Sequence, residues 1–346
     1  MKTKAYANHA ADRPFEPYEF ERRSVGPRDI GIEIQYCGIC HSDIHTARSE
    51  WGPAFYPCIP GHEIVGKVVS VGKEVERHAV GDTVGVGCLV DSCRTCGSCK
   101  EGLEQYCENG WTGTYNSALN DSGDYTKGGY STYIVTDERF VLSIPKNLNL
   151  PATAPLLCAG ITTYSPLRHV GLSKGDRIGV MGLGGLGHMA VKIAHSFGAE
   201  VTVLSHSPHK KEDAHRLGAN HFVLTSDETQ TKPIENHFDF ILDTVSAKHD
   251  LTSALGWLKR QGTLIMVGAS DQPLDLAVFP LIFNRRKIMG SLIGGLPETQ
   301  EMLDHCGKHN ITSDIELIEP NAINQAYERV LKSDVKYRFV IDCQKF

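Results

Sequence analysis

The sequence lacks the features that mark membrane, nucleic-acid-binding and repetitive proteins. No uninterrupted apolar run approaches the roughly 18 residues that a membrane-spanning helix needs. Charged residues make up 22% of the chain and the formal net charge is −6, so there is no basic excess to neutralise phosphates. No low-complexity segment or repeat of about 20–50 residues is visible. We therefore expect a globular chain that binds neither nucleic acid nor a membrane.

The amino terminus also lacks a secretory signal, because MKTKAYANHA contains no apolar segment. The eleven cysteines are an odd number, which argues against a disulfide framework. We therefore expect a cytoplasmic location, with cysteines available to bind metal. At 346 residues the chain exceeds one typical core, so two domains are expected.

One group of cysteines has the spacing C-x2-C-x2-C-x7-C within a glycine-rich segment: Cys93, Cys96, Cys99 and Cys107. Four thiolates fill a tetrahedral zinc site and leave no open position, so such a site stabilises a loop and does no chemistry. The bacterial iron–sulfur spacing continues C-x3-C-P, whereas here seven residues precede the fourth cysteine and Glu108 follows it. The pattern predicts a structural zinc lobe at about residues 88–115.

A second possible metal set is scattered along the chain: Cys40 in CGICHSD, His62 in PGHE and Cys158 in LLCAG. Two thiolates and one imidazole leave a fourth position on zinc for water or substrate, as a catalytic site requires. On spacing alone, a catalytic zinc and ordinary structural roles are about equally favoured. The cysteines outside both sets are expected to pack as apolar residues; they are Cys37, Cys58, Cys88, Cys306 and Cys343.

The chain changes character near residue 150. Before it, short β-branched segments bounded by Gly, Pro and Asp predict a barrel of short strands at 30–36, 64–71, 83–86 and 131–135. From about residue 176, strands alternate with helices, which predicts a parallel, doubly wound sheet. Its predicted strands are 177–181, 201–204, 221–224, 238–244 and 262–267, and its predicted helices are 189–197, 208–217 and 251–258. A helix at 322–331 and a strand at 338–342 are predicted to return to the first domain.

The segment GLGGLG matches the dinucleotide fingerprint G-x-G-x-x-G and lies between a predicted strand and a predicted helix. The first glycine permits a tight turn, the second lets the backbone approach a pyrophosphate, and the third lets the helix pack closely. The helix amino terminus then faces the phosphates. The segment predicts a dinucleotide site at Gly182, Leu183, Gly184, Gly185, Leu186 and Gly187.

The end of the next strand indicates which dinucleotide binds. An NAD site places Asp or Glu about 20 residues after the glycines, on the ribose 2′-hydroxyl. Here the strand ends in SHSPHKK at 205–211, which offers hydroxyls, imidazoles and ammonium groups but no carboxylate. Glu200 lies at the start of the strand, about 13 Å from its end. We therefore expect NADP(H), while Ser207 is also suited to cap a helix before Pro208.

Taken together, CGICHSDIH, PGHEIVG, the four-cysteine lobe, LLCAGITTYSP, GLGGLGHMAVK and DVKYRFVID resemble the zinc-dependent medium-chain alcohol dehydrogenases of the cinnamyl alcohol dehydrogenase branch. The resemblance covers essentially the whole chain. It implies a GroES-like β-barrel catalytic domain (1–156 and 297–346) and an α/β Rossmann domain with a doubly wound parallel sheet (157–296). It also implies NADP(H) and two zinc ions per chain, one catalytic and one structural. The implied activity is reduction of aromatic and aliphatic aldehydes or oxidation of primary alcohols.

Carried over by position, the resemblance implies that Cys40, His62 and Cys158 bind the catalytic zinc. Glu63 would be an alternate metal ligand, and Asp43 would orient a ligand imidazole, most plausibly that of His62. Ser42 would hydrogen-bond the substrate oxygen, and His45 would end a proton relay. Many relatives have threonine at position 42, which supplies the same hydroxyl. The implied cofactor contacts are Thr162, Arg338 and, at the 2′-phosphate, Ser205, His206, Ser207 and Lys210, although plant members have serine at position 206.

The substrate pocket is expected to be apolar, with walls formed by Trp51, Cys88, Trp111, Leu292 and Ile293. The apolar stretch 287–293 corresponds to the sheet edge through which relatives form homodimers, so a homodimer is expected. Three alternatives stay open: a zinc-free double-bond reductase, a non-catalytic zinc-stabilised nucleotide-binding protein, and reduction of iminium carbons. Zinc content separates the first two from the dehydrogenase, which needs two ions per chain.

Overall fold

The computed structural model describes residues 1–119, 123–270 and 272–346. The chain divides into two compact units, one formed by Met1–Ile161 with Gly294–Phe346 and the other by Thr162–Ile293. The breaks fall after residues 161 and 293, whereas the sequence predicts them after 156 and 296. Residues 120–122 and 271 of the predicted domains lie outside the described residues. Within the described ranges, no helix has both the length and the apolar character needed to cross a bilayer.

Strands dominate the first unit and alternate with helices in the second. In the described parts of the chain the strands are β1 (Lys2–Ala7), β2 (Glu16–Glu21), β3 (Asp29–Gly38), β4 (Ile64–Val71), β5 (Thr83–Val86), β6 (Leu89–Asp91), β7 (Thr112–Gly113), β8 (Ala118–Leu119), β9 (Asp124–Tyr125), β10 (Tyr133–Asp137), β11 (Leu142–Ser143), β12 (Arg177–Met181), β13 (Glu200–Ser205), β14 (His221–Leu224), β15 (Phe238–Asp243), β16 (Leu258–Met266), β17 (Lys287–Gly290), β18 (Ile315–Ile318) and β19 (Arg338–Asp342).

Helices are short in both units. The α-helices are α1 (His41–Ala47), α2 (Gly97–Lys100), α3 (Leu150–Thr153), α4 (Ala159–His169), α5 (Gly187–Ser196), α6 (Lys211–Arg216), α7 (Glu228–Thr231), α8 (Leu251–Trp257), α9 (Phe279–Asn284), α10 (Leu296–His309) and α11 (Ile323–Leu331).

The first unit is organised around β3, which pairs with β4, β10 and β19 in one seven-stranded sheet. Alternate residues of this strand are apolar and buried in the core; they are Ile30, Ile32 and Ile34. The carboxyl-terminal strand β19 runs antiparallel to β3, with Val340 opposite Gly38. The end of the described chain therefore pairs with the central strand of the first unit.

The second unit contains a six-stranded parallel sheet in the order β14-β13-β12-β15-β16-β17. The strand order reverses between β12 and β15, because β13 and β14 extend to one side of β12 and the later strands to the other. This is the doubly wound topology that the alternation of strands and helices predicts. The glycine segment begins directly after β12, at the carboxyl edge of the sheet.

Several predicted elements differ from the structure in their bounds, and for three of them the contacts show the reason. The strand predicted at 131–135 lies at Tyr133–Asp137, because Ser131 and Thr132 bond to the β1 region instead. The strand predicted at 262–267 begins at Leu258, because its pairing with β15 continues through an irregularity that accommodates Gly262. The helix predicted at 208–217 begins with the 3₁₀ turn Pro208–Lys210 before α6.

Candidate active site and metal sites

Cys40 lies where the central strand of the first unit meets a helix. β3 ends at Gly38, and Cys40 stands directly before α1 in an extended backbone conformation. Its backbone N–H donates to the Asp43 carboxylate at 2.9 Å, as in a capping box. This cap fixes the backbone that carries the Cys40 thiol.

The same carboxylate holds His62. Asp43 Oδ1 lies 3.0 Å from His62 Nδ1 and accepts the Gly61 backbone N–H at 3.1 Å. Its Oδ2 also accepts the Tyr130 hydroxyl at 3.3 Å. Asp43 is fully buried, so these contacts satisfy a carboxylate that water does not reach. The structure therefore contains the expected Asp43–His62 contact and adds a second one, from Asp43 to Cys40.

Cys158 completes the donor set from a distant part of the chain. Its Sγ lies 4.0 Å from Cys40 Sγ, and the possible ligand atoms of Cys40, His62, Glu63 and Cys158 all lie within 4.8 Å of one another. Two thiolates on a tetrahedral zinc ion are about 3.8 Å apart for Zn–S bonds of about 2.3 Å. The hydrogen bond from Cys158 lowers the pKa of Cys40 well below its usual range, which favours the thiolate. The donor chemistry and spacing thus fit Zn²⁺.

Glu63 and Arg338 form a buried ion pair beside this set. Burial raises the pKa of Glu63 to about 7 despite the guanidinium charge. Among the described residues, Glu63 Oε2 and Arg338 Nε find no hydrogen-bond partner. An orphaned carboxylate oxygen next to two thiols and an imidazole suits a cation, in line with the prediction for Glu63. No local pattern in the sequence indicates the pair, because its members are 275 positions apart.

Ser42 and His45 both lie on α1 but in different surroundings. Ser42 Oγ is 3.6 Å from Cys40 Sγ, so the structure places this hydroxyl next to the donor set. His45 Nδ1 lies 2.5 Å from Glu50 Oε2, and its ring stacks on Trp51 with centroids 4.7 Å apart. Sequence analysis missed Glu50, although a carboxylate five residues after a helical histidine is a short-range signal that was available.

The four-cysteine lobe also has the geometry of a metal site. Cys93 Sγ and Cys99 Sγ are 3.9 Å apart, and all four possible ligand atoms lie within 4.8 Å of one another. The backbone N–H groups of Cys96 and Cys93 donate to the Cys93 and Cys107 thiols, each at 3.4 Å. The Thr95 N–H lowers the pKa of Cys93 to about 5. Such donors stabilise thiolates, so the lobe fits a zinc ion without an open position.

The three glycines of the fingerprint differ in their backbone conformation and in the space around them. Gly182 has φ +84°, and a Cβ on Gly187 would lie 2.1 Å from the Gly182 carbonyl oxygen. A Cβ on Gly184 would meet no described protein atom within 4 Å. The space beside Gly184 is therefore open to a ligand, while Leu183, Gly185 and Leu186 complete the loop before α5. This arrangement fits a dinucleotide pyrophosphate.

The carboxyl end of β13 lies next to this loop, because the Gly182 N–H donates to the Leu204 carbonyl at 3.0 Å. Ser205 Oγ accepts the Ser207 N–H at 3.1 Å. Glu200 stands at the opposite end of the strand, and its Oε1 lies 2.8 Å from His221 Nε2. It therefore cannot hydrogen-bond a ribose at the Ser205 end.

Ser207 occupies the predicted N-cap position before Pro208. The residue precedes the turn Pro208–Lys210, but its side chain makes no capping hydrogen bond. The turn is a single 3₁₀ turn rather than an α-helical start, and α6 begins only at Lys211. His206, directly after β13, is exposed, and Lys210, at the end of the 3₁₀ turn, is half-buried. Their contact with a phosphate stays a prediction.

The predicted wall residues occupy varied environments. Trp51, Trp111 and Leu292 are exposed large apolar side chains, and Trp51 is held against His45. Cys88 donates to the Leu157 carbonyl at 3.8 Å, one residue from Cys158. The fifth wall residue, Ile293, has φ +36°. Thr162, which is predicted to contact the cofactor and not to form a wall, is buried in α4. Their roles stay predictions.

A β-sheet unit carrying a Cys–His–Cys donor set, followed in the chain by a doubly wound unit with a dinucleotide loop, defines a metal-dependent nicotinamide dehydrogenase. Residues 26–146 match the alcohol dehydrogenase GroES-like domain, and residues 185–308 match the zinc-binding dehydrogenase domain. The chain therefore belongs to the zinc-binding alcohol dehydrogenase family. The predicted family, fold class and enzyme class are confirmed.

The chain is also similar to individual members of this family over nearly its whole length. The chain is 56% identical over 339 residues to the NADP-dependent alcohol dehydrogenase C 1 of Mycolicibacterium smegmatis, covering 98% of this chain and 97% of that one. It is 54% identical over 345 residues to the aldehyde reductase YahK of Escherichia coli, with 99% and 98% covered. A cinnamyl alcohol dehydrogenase structure from Sorghum bicolor superposes with a TM-score of 0.96 at 44% identity, covering 99% of this chain and 98% of that one.

Proposed function

We propose that this chain uses NADP(H) to reduce aldehydes and, in reverse, to oxidise primary alcohols. The observation that carries the proposal is the open donor set of Cys40, His62 and Cys158, with an orphaned Glu63 oxygen beside it. Relatives of 54% and 56% identity bear the names aldehyde reductase and NADP-dependent alcohol dehydrogenase, which agrees with this activity and cofactor. The absence of a carboxylate in 205–211 supports NADP(H) over NAD(H).

The protein's own residues have separable tasks in this reaction. Cys40, His62 and Cys158 would hold the catalytic zinc, with Asp43 fixing the imidazole. Bound zinc and NADPH would supply polarisation of the carbonyl oxygen and a hydride. The Ser42 hydroxyl hydrogen-bonds the substrate oxygen and donates the proton that the alcohol product needs.

His45 is the proposed external source of that proton. Glu50 holds Nδ1 of the imidazole and Trp51 covers one ring face, so Nε2 is the nitrogen left to exchange a proton. The His45 side chain is 21% exposed, which allows exchange with solvent. In alcohol oxidation the same groups accept the proton instead of supplying it.

The deciding experiment measures kcat/KM for benzaldehyde with NADPH and with NADH, together with zinc content. We expect a preference for NADPH of about a hundredfold, or about 3 kcal/mol, and two zinc ions per chain. Cys40→Ala should lose turnover and one zinc ion while NADPH still binds, whereas Cys306→Ala, a buried cysteine outside both sets, should keep both. One zinc ion per chain and no turnover of aldehydes would instead support the double-bond reductase.

We also propose that the chain forms a homodimer through the β17 edge of the parallel sheet. β17 is the terminal strand, and α9 before it exposes large apolar side chains: Phe279 at 67%, Ile282 at 62% and Phe283 at 77%. An unpaired strand edge beside such a patch favours pairing with a second copy. Phe283→Glu should yield monomers in light scattering, whereas Val80→Glu, at a residue that is 63% exposed in the first unit, should not.

The proposed location is the cytoplasm, since a chain with two metal-type cysteine sets and an odd cysteine count suits a reducing compartment. Cell fractionation with antibodies against the chain tests this, and recovery in an oxidising compartment would contradict it.

A further inference from the structure

The parallel sheet offers a second wall for the cofactor besides the glycine loop. Ligands of doubly wound sheets bind beyond the carboxyl ends of the strands, where the strand order reverses. In this sheet the reversal lies between β12 and β15. The glycine loop follows β12, and residues 244–250 follow β15, so both segments border the same crevice.

The position of each strand indicates which half of the dinucleotide each segment meets. The predicted 2′-phosphate contacts lie after β13, and the pyrophosphate loop lies after β12. β15 is on the other side of β12 from β13, so the segment after β15 faces the nicotinamide half. This segment also touches the glycine loop, because Thr244 Oγ1 donates to the Met181 carbonyl at 2.7 Å and lies 3.5 Å from the Gly182 carbonyl oxygen.

A buried acid paired with a partly exposed histidine closes this segment into a loop. Asp243 ends β15 and is fully buried; its Oδ1 accepts the Val245 N–H at 3.0 Å, and its Oδ2 lies 2.6 Å from His249 Nε2. His249 Nδ1 lies 2.8 Å from the Ala247 carbonyl. Both ring nitrogens therefore lie within hydrogen-bond distance of oxygen atoms of this segment, which fixes the orientation of the ring.

The charged side chains next to this pair are Lys248 and Asp250, and the charge of Asp250 also acts on His249. Burial raises the pKa of Asp243, so its carboxylate needs a partner to stay ionised. Lys248 pairs with Asp275 at 3.3 Å on the surface, and Asp250 accepts the Thr252 N–H at 2.8 Å at the start of α8. The loop therefore depends on His249 for the compensation of its one buried charge.

We propose that Asp243 and His249 are positioning residues, which hold residues 244–248 in the shape that receives the nicotinamide half of the cofactor. The inference rests on the proposed use of NADP(H). It assigns a task to a histidine that lies outside both metal sets and the proton relay. We call the contact between Asp243 and His249 the clamp. Replacing His249 removes this clamp and leaves a buried carboxylate without its partner.

The test compares NADPH binding by wild type and His249→Ala in fluorescence titrations. We expect the dissociation constant to rise about tenfold, and kcat at saturating NADPH to stay within about twofold. Amide hydrogen exchange in residues 244–250 of the cofactor-free protein should become faster. His221→Ala is the matched control: His221 lies 2.8 Å from Glu200, but at the amino end of the same sheet, so binding should be unchanged.

A second variant separates positioning from general loss of stability. In Asp243→Asn/His249→Ala the buried charge is gone, so the melting temperature should return towards that of wild type while NADPH binding stays weak. Recovery of wild-type binding in this double variant, or unchanged binding in His249→Ala, would overturn the inference while leaving the proposed function intact. A wild type that binds no NADPH would overturn the proposed function and, with it, this inference.

Discussion

Asp43 provides a stringent test of how the open donor set is held. Its carboxylate accepts the Cys40 N–H at 2.9 Å, the Gly61 N–H at 3.1 Å and the Tyr130 hydroxyl at 3.3 Å, and it lies 3.0 Å from His62 Nδ1. Asp43→Asn keeps the size of the side chain but replaces one acceptor oxygen by an amide donor and removes the charge. Either orientation of the amide turns a donor towards groups that are themselves donors.

The expected size of the effect follows from the two bonds that hold ligand residues. A hydrogen bond to a charged group contributes about 1.5–3 kcal/mol and a neutral one about 0.5–1.5 kcal/mol, so loss of the charge alone costs each of these bonds about 1 kcal/mol, and the donor–donor contact makes this a lower limit. The sum of about 2 kcal/mol corresponds to about a thirtyfold weaker affinity for zinc. This lies within the range of about 10–100-fold found when a group that orients a metal ligand is removed.

The assay is zinc content by mass spectrometry after dialysis against a series of buffered free zinc concentrations. In Asp43→Asn, the free zinc concentration at which one site is half occupied should rise about thirtyfold, and that of the second site should stay unchanged. Asp29→Asn removes a carboxylate of the same unit that pairs with Arg23 instead, so both zinc ions should bind as in wild type. A midpoint for Asp43→Asn within about threefold of wild type would refute the reasoning from charge-assisted bonds.

Further predictions concern the lobe, the glycine loop and the cofactor phosphate. Cys96→Ala should lower the melting temperature and remove one zinc ion, because a structural metal site contributes folding energy; unchanged melting with complete loss of turnover would contradict the division into two sites. Gly184→Ala should fold normally but weaken NADPH binding in titrations by about tenfold or more, because the added methyl would occupy the open space beside the loop. Gly256→Ala, where a Cβ also meets nothing within 4 Å, should leave binding unchanged. Ser205→Asp should reduce kcat/KM with NADPH much more than with NADH, since a carboxylate at the end of β13 repels a 2′-phosphate.

The sequence predicts best those parts of the site that are local. The glycine loop, the four-cysteine lobe and the strand ends at Met181 and Asp342 depend on neighbouring residues, and local spacing is visible in a sequence. The Glu63–Arg338 pair is invisible because it depends on β3 pairing with a strand from the other end of the chain. Neither the composition of a segment nor the periodicity of its apolar residues indicates which distant strand it pairs with.

Tertiary contacts explain the remaining differences between the sequence-based predictions and the structure. The strand predicted from Ser131 begins two residues later because Ser131 and Thr132 bond to Ala5 and Lys4, a choice set by tertiary contacts. The pair of Asp243 and His249 lies only six residues apart and was still missed. A buried acid at the end of a strand followed by a histidine is common, and only the observed contact distinguishes a clamp from two surface residues.

The position of β19 has a consequence for how the protein is made. Residues 338–342 pair with β3 and bring Arg338 to Glu63, so the buried charge beside the Cys40 set stays uncompensated until residues 338–342 have left the ribosome. The parallel-sheet unit ends at Ile293 and contains all of its own strands, so it can fold while synthesis continues. A nascent chain stopped before residue 338 would therefore carry a folded parallel-sheet unit and an unfinished metal site. Early termination would thus produce a partly folded chain that does not turn cofactor over.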